Sequence, residues 1–229
     1  MHAKTCLRGK WAGEIVSFNR RRPSPGLVAR LGDRLLHGGI VIAPTETRYA
    51  LLADATSAPA VQAVREIKGR SRMLPFSVFV LDVSWCHAWG MRLNTVARHL
   101  AGEFWPGPMT LILPVRDFRF ALPGGRRGTI GIRVTPEPIV KRLLALMGRP
   151  LIATSANPSG RILSCREENR WLSGLVARWG VIWARPRRYV RRDASTVVDC
   201  AAAGARQLRA GPISPEQWMM AAGRGNRGE

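Results

Sequence analysis

The sequence predicts a single mixed α/β domain, and three observations carry that prediction. Short apolar runs alternate with amphipathic stretches along most of the chain, as strands alternate with helices in a sheet covered by helices. Hydrophobic residues make up 46% of the 229 residues, enough for one large core. Glycine and proline punctuate the alternation at regular intervals, and no stretch repeats another.

Taken in order, residues 1–23 are basic and show no helical period. They read as a flexible extension, dispensable for folding, in which Arg20, Arg21 and Arg22 precede Pro23. Ser24 and Pro25 read as an N-cap and a first-turn proline. Leu27, Val28, Leu31, Leu35 and Leu36 then recur at helical spacing until Gly38-Gly39. Residues 40–43 and 49–53 read as strands joined by the turn Pro44-Thr45-Glu46-Thr47. A helix over 59–67 ends at Lys68-Gly69-Arg70, and a strand follows over 76–81. A helix over 94–104 stops at Trp105-Pro106-Gly107-Pro108, before a strand over 109–115 and an Arg/Gly/Phe-rich loop over 116–128. A strand over 129–134 and a helix over 137–147 come next. Pro150-Leu151-Ile152-Ala153 reads as a strand end, opening into Thr154-Ser155-Ala156-Asn157-Pro158-Ser159-Gly160. A helix over 167–178, a strand over 181–183, a basic connection over 185–192 and two strands over 195–199 and 206–209 complete residues 24–213 as the domain. Residues 214–229 read as a short helix and a flexible tail.

The formal net charge of +21 points to anionic partners: nucleotides, pyrophosphate or RNA. Arginine dominates that charge, so the lysine at Lys68 stands out. The four cysteines (Cys6, Cys86, Cys165, Cys200) form no Cys-x-x-Cys pair and lie near no His pair, so no metal site is expected. No apolar run approaches the roughly 20 residues of a spanning helix. The basic N-terminus has no apolar segment behind it, so the chain reads as soluble and cytoplasmic, with no membrane partner.

Polar residues interrupt the strand ends in a way that a buried sheet does not require. They are Thr45 and Thr47, Lys68 and Arg70, Thr129 and Arg133, Ser155 and Asn157, Ser195, and Arg209. Ligands of open α/β sheets sit at strand ends. A set of cations and hydroxyls with one acid, Glu46, describes an anionic ligand. Glycine-rich phosphate loops, a dinucleotide fingerprint and a nucleophile elbow are missing from the sequence. Lys68 and Arg70 could equally complement a helix dipole. Arg133, in an otherwise apolar strand, needs an anion. That anion is either a ligand or Glu137, on the following helix.

These residues lie in motifs that occur in a fixed order. Pro44-Thr45-Glu46-Thr47 is followed by Tyr49, and Lys68-Gly69-Arg70 by Pro75. Next come Phe104-Trp105-Pro106-Gly107-Pro108-Met109-Thr110 and Thr129-Ile130-Gly131-Ile132-Arg133. Ser155-Ala156-Asn157-Pro158-Ser159-Gly160, Ser195-Thr196-Val197-Val198-Asp199 and Arg209-Ala210-Gly211 complete the set. The chain resembles the YrdC-like (TsaC-type) threonylcarbamoyl-AMP synthases over about residues 27–211, in their short single-domain form. The resemblance implies a YrdC-like twisted mixed sheet flanked by helices, with a large basic cavity. It also implies a reaction in which L-threonine, bicarbonate or CO2 and ATP, with Mg2+ on the nucleotide, give threonylcarbamoyl-AMP and pyrophosphate. A downstream transferase complex would then modify tRNA.

By the same resemblance, Lys68, Arg70, Ser155 and Asn157 fall on catalytic positions. Arg70, Thr129, Asn157 and Arg209 fall on ATP contacts, and Thr47, Arg133, Ser155 and Ser195 on threonine contacts. The chain departs from the pattern at Arg48, where a small or apolar residue is usual. It departs also at Ala50-Leu51-Leu52, in place of Gly-Leu-Gly, and at Leu74 and Phe79. Two other readings share the fold: a non-catalytic binder of tRNA or double-stranded RNA, and a carbamoyl-transfer domain of the hydrogenase-maturation type.

Overall fold

The computed structural model describes residues 11–69, 76–115, 128–189, 193–202 and 204–225. Among them the strands form two mixed sheets. The first has the order β1 (Glu14–Phe18), β9 (Ile182–Pro186), β2 (Val41–Ala43), β3 (Ala50–Leu52), β8 (Thr154–Ser155). The second runs β11 (Arg206–Arg209), β10 (Thr196–Asp199), β5 (Met109–Pro114), β6 (Thr129–Arg133), β4 (Ser77–Phe79), β7 (Leu151–Ile152). Residues 150–156 stitch the two together. Ala153 donates to the Ser77 carbonyl on the second sheet (2.7 Å), and Ala156 to the Tyr49 carbonyl on the first (2.8 Å).

Helices cover both faces. The amphipathic helices α1 (Pro25–Leu36) and α5 (Pro138–Met147) pack together over one face of the first sheet. Leu31, Leu35, Leu143 and Leu144 there lose all solvent contact. Each such side chain is worth roughly 1.5–3 kcal/mol of burial, so this face alone holds α1 without help from its low-propensity glycines. Helices α2 (Ala58–Lys68), α4 (Thr95–Phe104), α6 (Cys165–Trp179) and α7 (Pro215–Gly225) contribute to the other core cluster. Side-chain caps open several of them: Ser24 for α1, Ser57 for α2, Asn94 for α4, and a Ser164–Glu167 capping box for α6. A short helix, α3 (Ser84–Ala88), was not foreseen, having too few residues to show a period.

The N-terminal expectation needs correction. Residues 14–18 are not a loose extension but a strand, β1, paired in parallel with β9 from Glu14↔Ile182 to Phe18↔Pro186. Val16 and Phe18 reach the core under α1, while Ile15 and Ser17 face outward. Five residues of period two between arginine-rich flanks gave too weak a signal to read. Arg30 ties Glu14 to α1, and Arg34 reaches the carbonyls of Gly180 and Ala12. The Arg/Gly/Phe-rich loop over 116–127, Arg70 and Leu74 lie outside the described residues. No described helix is long and apolar enough to cross a membrane.

Candidate active site

Where the two sheets meet, the strand ends and their following turns enclose a cavity of about 850 Å³. It is built from residues far apart in sequence. The turn after β2 supplies Thr45, Thr47 and Arg48; the end of α2 supplies Lys68; β5 and β6 supply Thr110, Gly131 and Arg133. The β8 turn supplies Ser155, Asn157 and Arg161, the segment before β10 supplies Asp193 and Ser195, and the end of β11 supplies Arg209. The described charged residues in the lining are therefore Arg48, Lys68, Arg133, Arg161 and Arg209 against Asp193 alone. That imbalance favours an anion.

Lys68 crosses from α2 to the β8 turn. Its Nζ donates to the Ser155 carbonyl at 2.6 Å, to the Asn157 carbonyl, and to Asn157 Oδ1 at 3.1 Å. The ammonium is buried, with only 4% exposure, and three oxygens meet it. It therefore does more than complement its own helix: it fixes the Ser155–Asn157 turn. Ser155 Oγ donates to Asn157 Oδ1, and Asn157 Nδ2 to the Arg161 carbonyl. Gly69 then leaves α2 in the left-handed conformation (φ 57°), a backbone suited to glycine.

Arg133, also buried, is held by an acid other than Glu137. Its Nη2 lies 2.7 Å from Glu46 Oε1 and donates to Thr47 Oγ1 at 3.1 Å, while Nε donates to the Gly107 carbonyl at 3.2 Å. The guanidinium stands 5.7 Å from the centre of the Phe79 ring. The Arg133–Glu137 pair, the alternative to a ligand anion, does not form: Arg20 takes Glu137, donating from Nε (2.9 Å) and Nη2 (2.7 Å). Arg20 Nη2 also donates to the Thr45 carbonyl at 3.0 Å. The first strand thus leads directly to an arginine that braces the Pro44–Thr47 turn from behind. Burial pushes the Glu137 carboxyl above its ordinary range, and the Arg20 hydrogen bond pulls it back only in part.

Hydroxyls complete the wall. Thr45 Oγ1 donates to the Arg48 carbonyl (2.6 Å) and accepts from the amides of Thr47 and Arg48 (3.1 Å each). Buried Ser195 shares a hydrogen bond with Thr110 (2.9 Å) and accepts from Arg209 Nη2 (2.9 Å); Arg209 Nε donates to the Ser195 carbonyl (3.0 Å). At Gly131 an added Cβ would come within 2.6 Å of Ser77 Oγ, and at Gly211 within 2.3 Å of the Thr196 nitrogen. At Gly211 the atoms met are backbone, so only glycine admits the close approach of that turn to residues 194–196.

Of the residues singled out in the sequence, the cavity gathers Thr47, Lys68, Arg133, Ser155, Asn157, Ser195 and Arg209. Thr129 does not line it. It opens β6 opposite Pro114, four residues from Arg133, and so about 13 Å along the strand. Arg70 lies outside the described residues. Thr110, Arg161 and Asp193 line the cavity without having been singled out; Thr110 alone had a cue, as the last residue of the Phe104-to-Thr110 motif. Phe79 and Ala50 do face the cavity, whereas Leu52 is buried beneath α1 and α5.

Comparison with known proteins agrees with this architecture. The Sua5/YciO/YrdC family model, described as telomere recombination, matches residues 33–211. A putative threonylcarbamoyl-AMP synthase of Mycobacterium tuberculosis is 33% identical over 199 residues, covering 85% of this chain and 88% of the relative. Among solved structures, P. abyssi Sua5 complexed with L-threonine superposes with a TM-score of 0.78 at 27% identity, over 90% of this chain and 60% of that one. This chain therefore spans little more than half of the P. abyssi protein. E. coli YciO has the same fold, with a TM-score of 0.78 at 23% identity, covering 90% of this chain and 99% of that one.

Proposed function

The chain belongs to the Sua5/YciO/YrdC family, and from that membership and the cavity we propose that it is an L-threonylcarbamoyladenylate synthase. It would make threonylcarbamoyl-AMP and pyrophosphate from L-threonine, bicarbonate or CO2 and ATP. The observation that carries the proposal is that Lys68, Arg133, Ser155, Asn157, Ser195 and Arg209, drawn from separate motifs, line one cavity. A relative's structure holds L-threonine, and relatives are named for the synthase activity.

In the proposed reaction the threonine amine adds to CO2, forming an N–C bond and losing a proton. A carbamate oxygen then attacks the α-phosphorus, and the bridging P–O bond to the β-phosphate breaks, releasing pyrophosphate. The protein's task is to position two anions and neutralise charge. Arg133, with Thr47 and Ser195, would receive the threonine carboxylate. Glu46 keeps Arg133 oriented but leaves the pair close to neutral, so the carboxylate would complete a network rather than meet a bare cation. Lys68 would stabilise phosphoryl charge partly through the turn it organises, since Ser155 and Asn157 stand on its hydrogen bonds. Arg70 and Arg209 would take phosphate oxygens as planar donors. Mg2+ would arrive on the nucleotide and share its phosphate charge. Among the described residues no group of three or more His, Cys, Asp or Glu gathers as a resident metal site. The labile product would pass to a separate transferase acting on tRNA.

The test is to incubate the protein with ATP and bicarbonate, with and without threonine, and to assay pyrophosphate. Release that depends on threonine is expected. No release, together with salt-sensitive retention of tRNA or double-stranded RNA, would favour the non-catalytic RNA-binding reading instead.

A further inference from the structure

Arg48 is a charged residue that the motif pattern does not supply, and its position in the fold is well defined. β3 and β8 pair antiparallel with Ala50↔Ser155 and Leu51↔Thr154 in register, and Ala156 N donates to the Tyr49 carbonyl. Beyond that pairing both chains turn, Asn157 N donating back to the Ser155 carbonyl (2.9 Å). Directly paired residues share a face of the sheet, so Ala50 and Ser155 are both on the cavity side, and Arg48 and Asn157 lie in the turns next to them. All four line it. The Arg48 backbone is fixed at both ends of its peptide unit by Thr45 Oγ1. The side chain is half-buried, and its Nε is enclosed with no hydrogen-bond partner among the described residues. The described residues engage neither this N–H nor the terminal nitrogens of the guanidinium, which are the groups a ligand in the cavity can meet. The neighbouring cations are already engaged: Arg133 by Glu46, and Lys68 by the oxygens of Ser155 and Asn157.

We infer that Arg48 is a further ligand contact of the cavity, binding phosphate oxygens of the nucleoside triphosphate and of the pyrophosphate product. Phosphate, rather than the amino-acid carboxylate, follows because the proposed reading already gives the carboxylate Arg133, Thr47 and Ser195, whereas the triphosphate carries more charge than Lys68 and Arg209 meet in the cavity that Arg48 also lines. A planar guanidinium matches a phosphate in two-point geometry. This rests on the synthase reading for the identity of the nucleotide, but its test does not require turnover.

The experiment is calorimetric titration of the full chain and of Arg48→Val, separately with ATP, pyrophosphate and L-threonine. Arg48→Val should weaken ATP and pyrophosphate binding by about 10- to 100-fold, the loss of one charged hydrogen-bond set, and leave threonine affinity within about twofold. Arg48→Lys should restore part of the loss. Should the valine variant not fold, Arg48→Gln takes its place in the same titrations. Unchanged ATP and pyrophosphate affinities would overturn the inference. So would a selective loss of threonine binding, or failure of the wild-type chain to bind either phosphate ligand. If wild type binds ATP in an Arg48-dependent way yet releases no pyrophosphate with threonine, the phosphate contact stands and the synthase reading falls.

Discussion

Arg133 shows how a residue can be legible in type while the protein acid that meets it is not. Its alternation with Gly131 marked it as facing away from the apolar side of β6, and that is where it stands. The acid it meets, Glu46, comes from a turn 87 positions earlier, and spacing along the chain says nothing about such a contact. Both charges are largely withdrawn from water, with exposures of 7% and 18%. Removing one partner of such a pair strands the other. Arg133→Met is therefore expected to lower stability by about 3–5 kcal/mol, as well as to lose threonine binding. Adding Glu46→Gln should recover most of the stability in denaturant titrations and none of the threonine binding. Recovery of both would mean that Arg133 serves the fold alone. The cysteines give a second check at this scale. Cys86 and Cys200 are buried, and burial pushes both thiols up to about 12. Exposed Cys165 should be alkylated in the native protein near neutral pH while these two are not, as peptide mass mapping would reveal.

At the level of elements, most strands and helices were legible because each carries its own period and its own punctuation. Ser24-Pro25 opens α1, and Gly69 and Gly148 close α2 and α5 in left-handed conformation. β1 was missed because nothing within residues 14–18 reveals that β9 has an open edge for them; that edge is a property of the assembled sheet. The strand also delivers Arg20 to Glu137 and the Thr45 carbonyl. Loss of β1 should thus be felt in the cavity. Deleting residues 1–19 is expected to weaken threonine binding as well as the melting transition, whereas Arg20→Met should leave β1 in place and still disturb the turn. The pH dependence of Arg20→Met identifies the cause. Burial raises the folded-state pKa of Glu137 above the ordinary 4.5, so its carboxyl favours folding most below that value and loses the contribution as pH rises. Without Arg20 that loss should deepen. The variant should fall short of wild type by about 2 kcal/mol near neutral pH, discounted because Arg20 is partly exposed, and by less near pH 4. A deficit that is constant across that range would rule out the Glu137 charge as its source.

Across the whole molecule, the site arises from the meeting of two sheets, which no single motif encodes. The motifs named the residues, and their fixed order pointed to one family. The pairing of residues 150–156, as β7 and β8, with β4 of one sheet and β3 of the other turns separate strand ends into one wall. The cations then act together. Among the described residues, five basic side chains against one acid line the cavity, on a chain of net charge +21. Such a field attracts a nucleoside triphosphate far more than a zwitterionic amino acid, and salt screens it over about 10 Å at 0.1 M ionic strength. Raising salt from roughly 0.05 to 0.5 M should therefore weaken ATP binding severalfold and leave threonine affinity nearly unchanged. Isothermal titrations of both ligands across that range measure this directly. Equal salt sensitivity for the two would show that the charge of the cavity is spent within the protein, on Glu46 and the carbonyls that Lys68 meets, and not on the nucleotide.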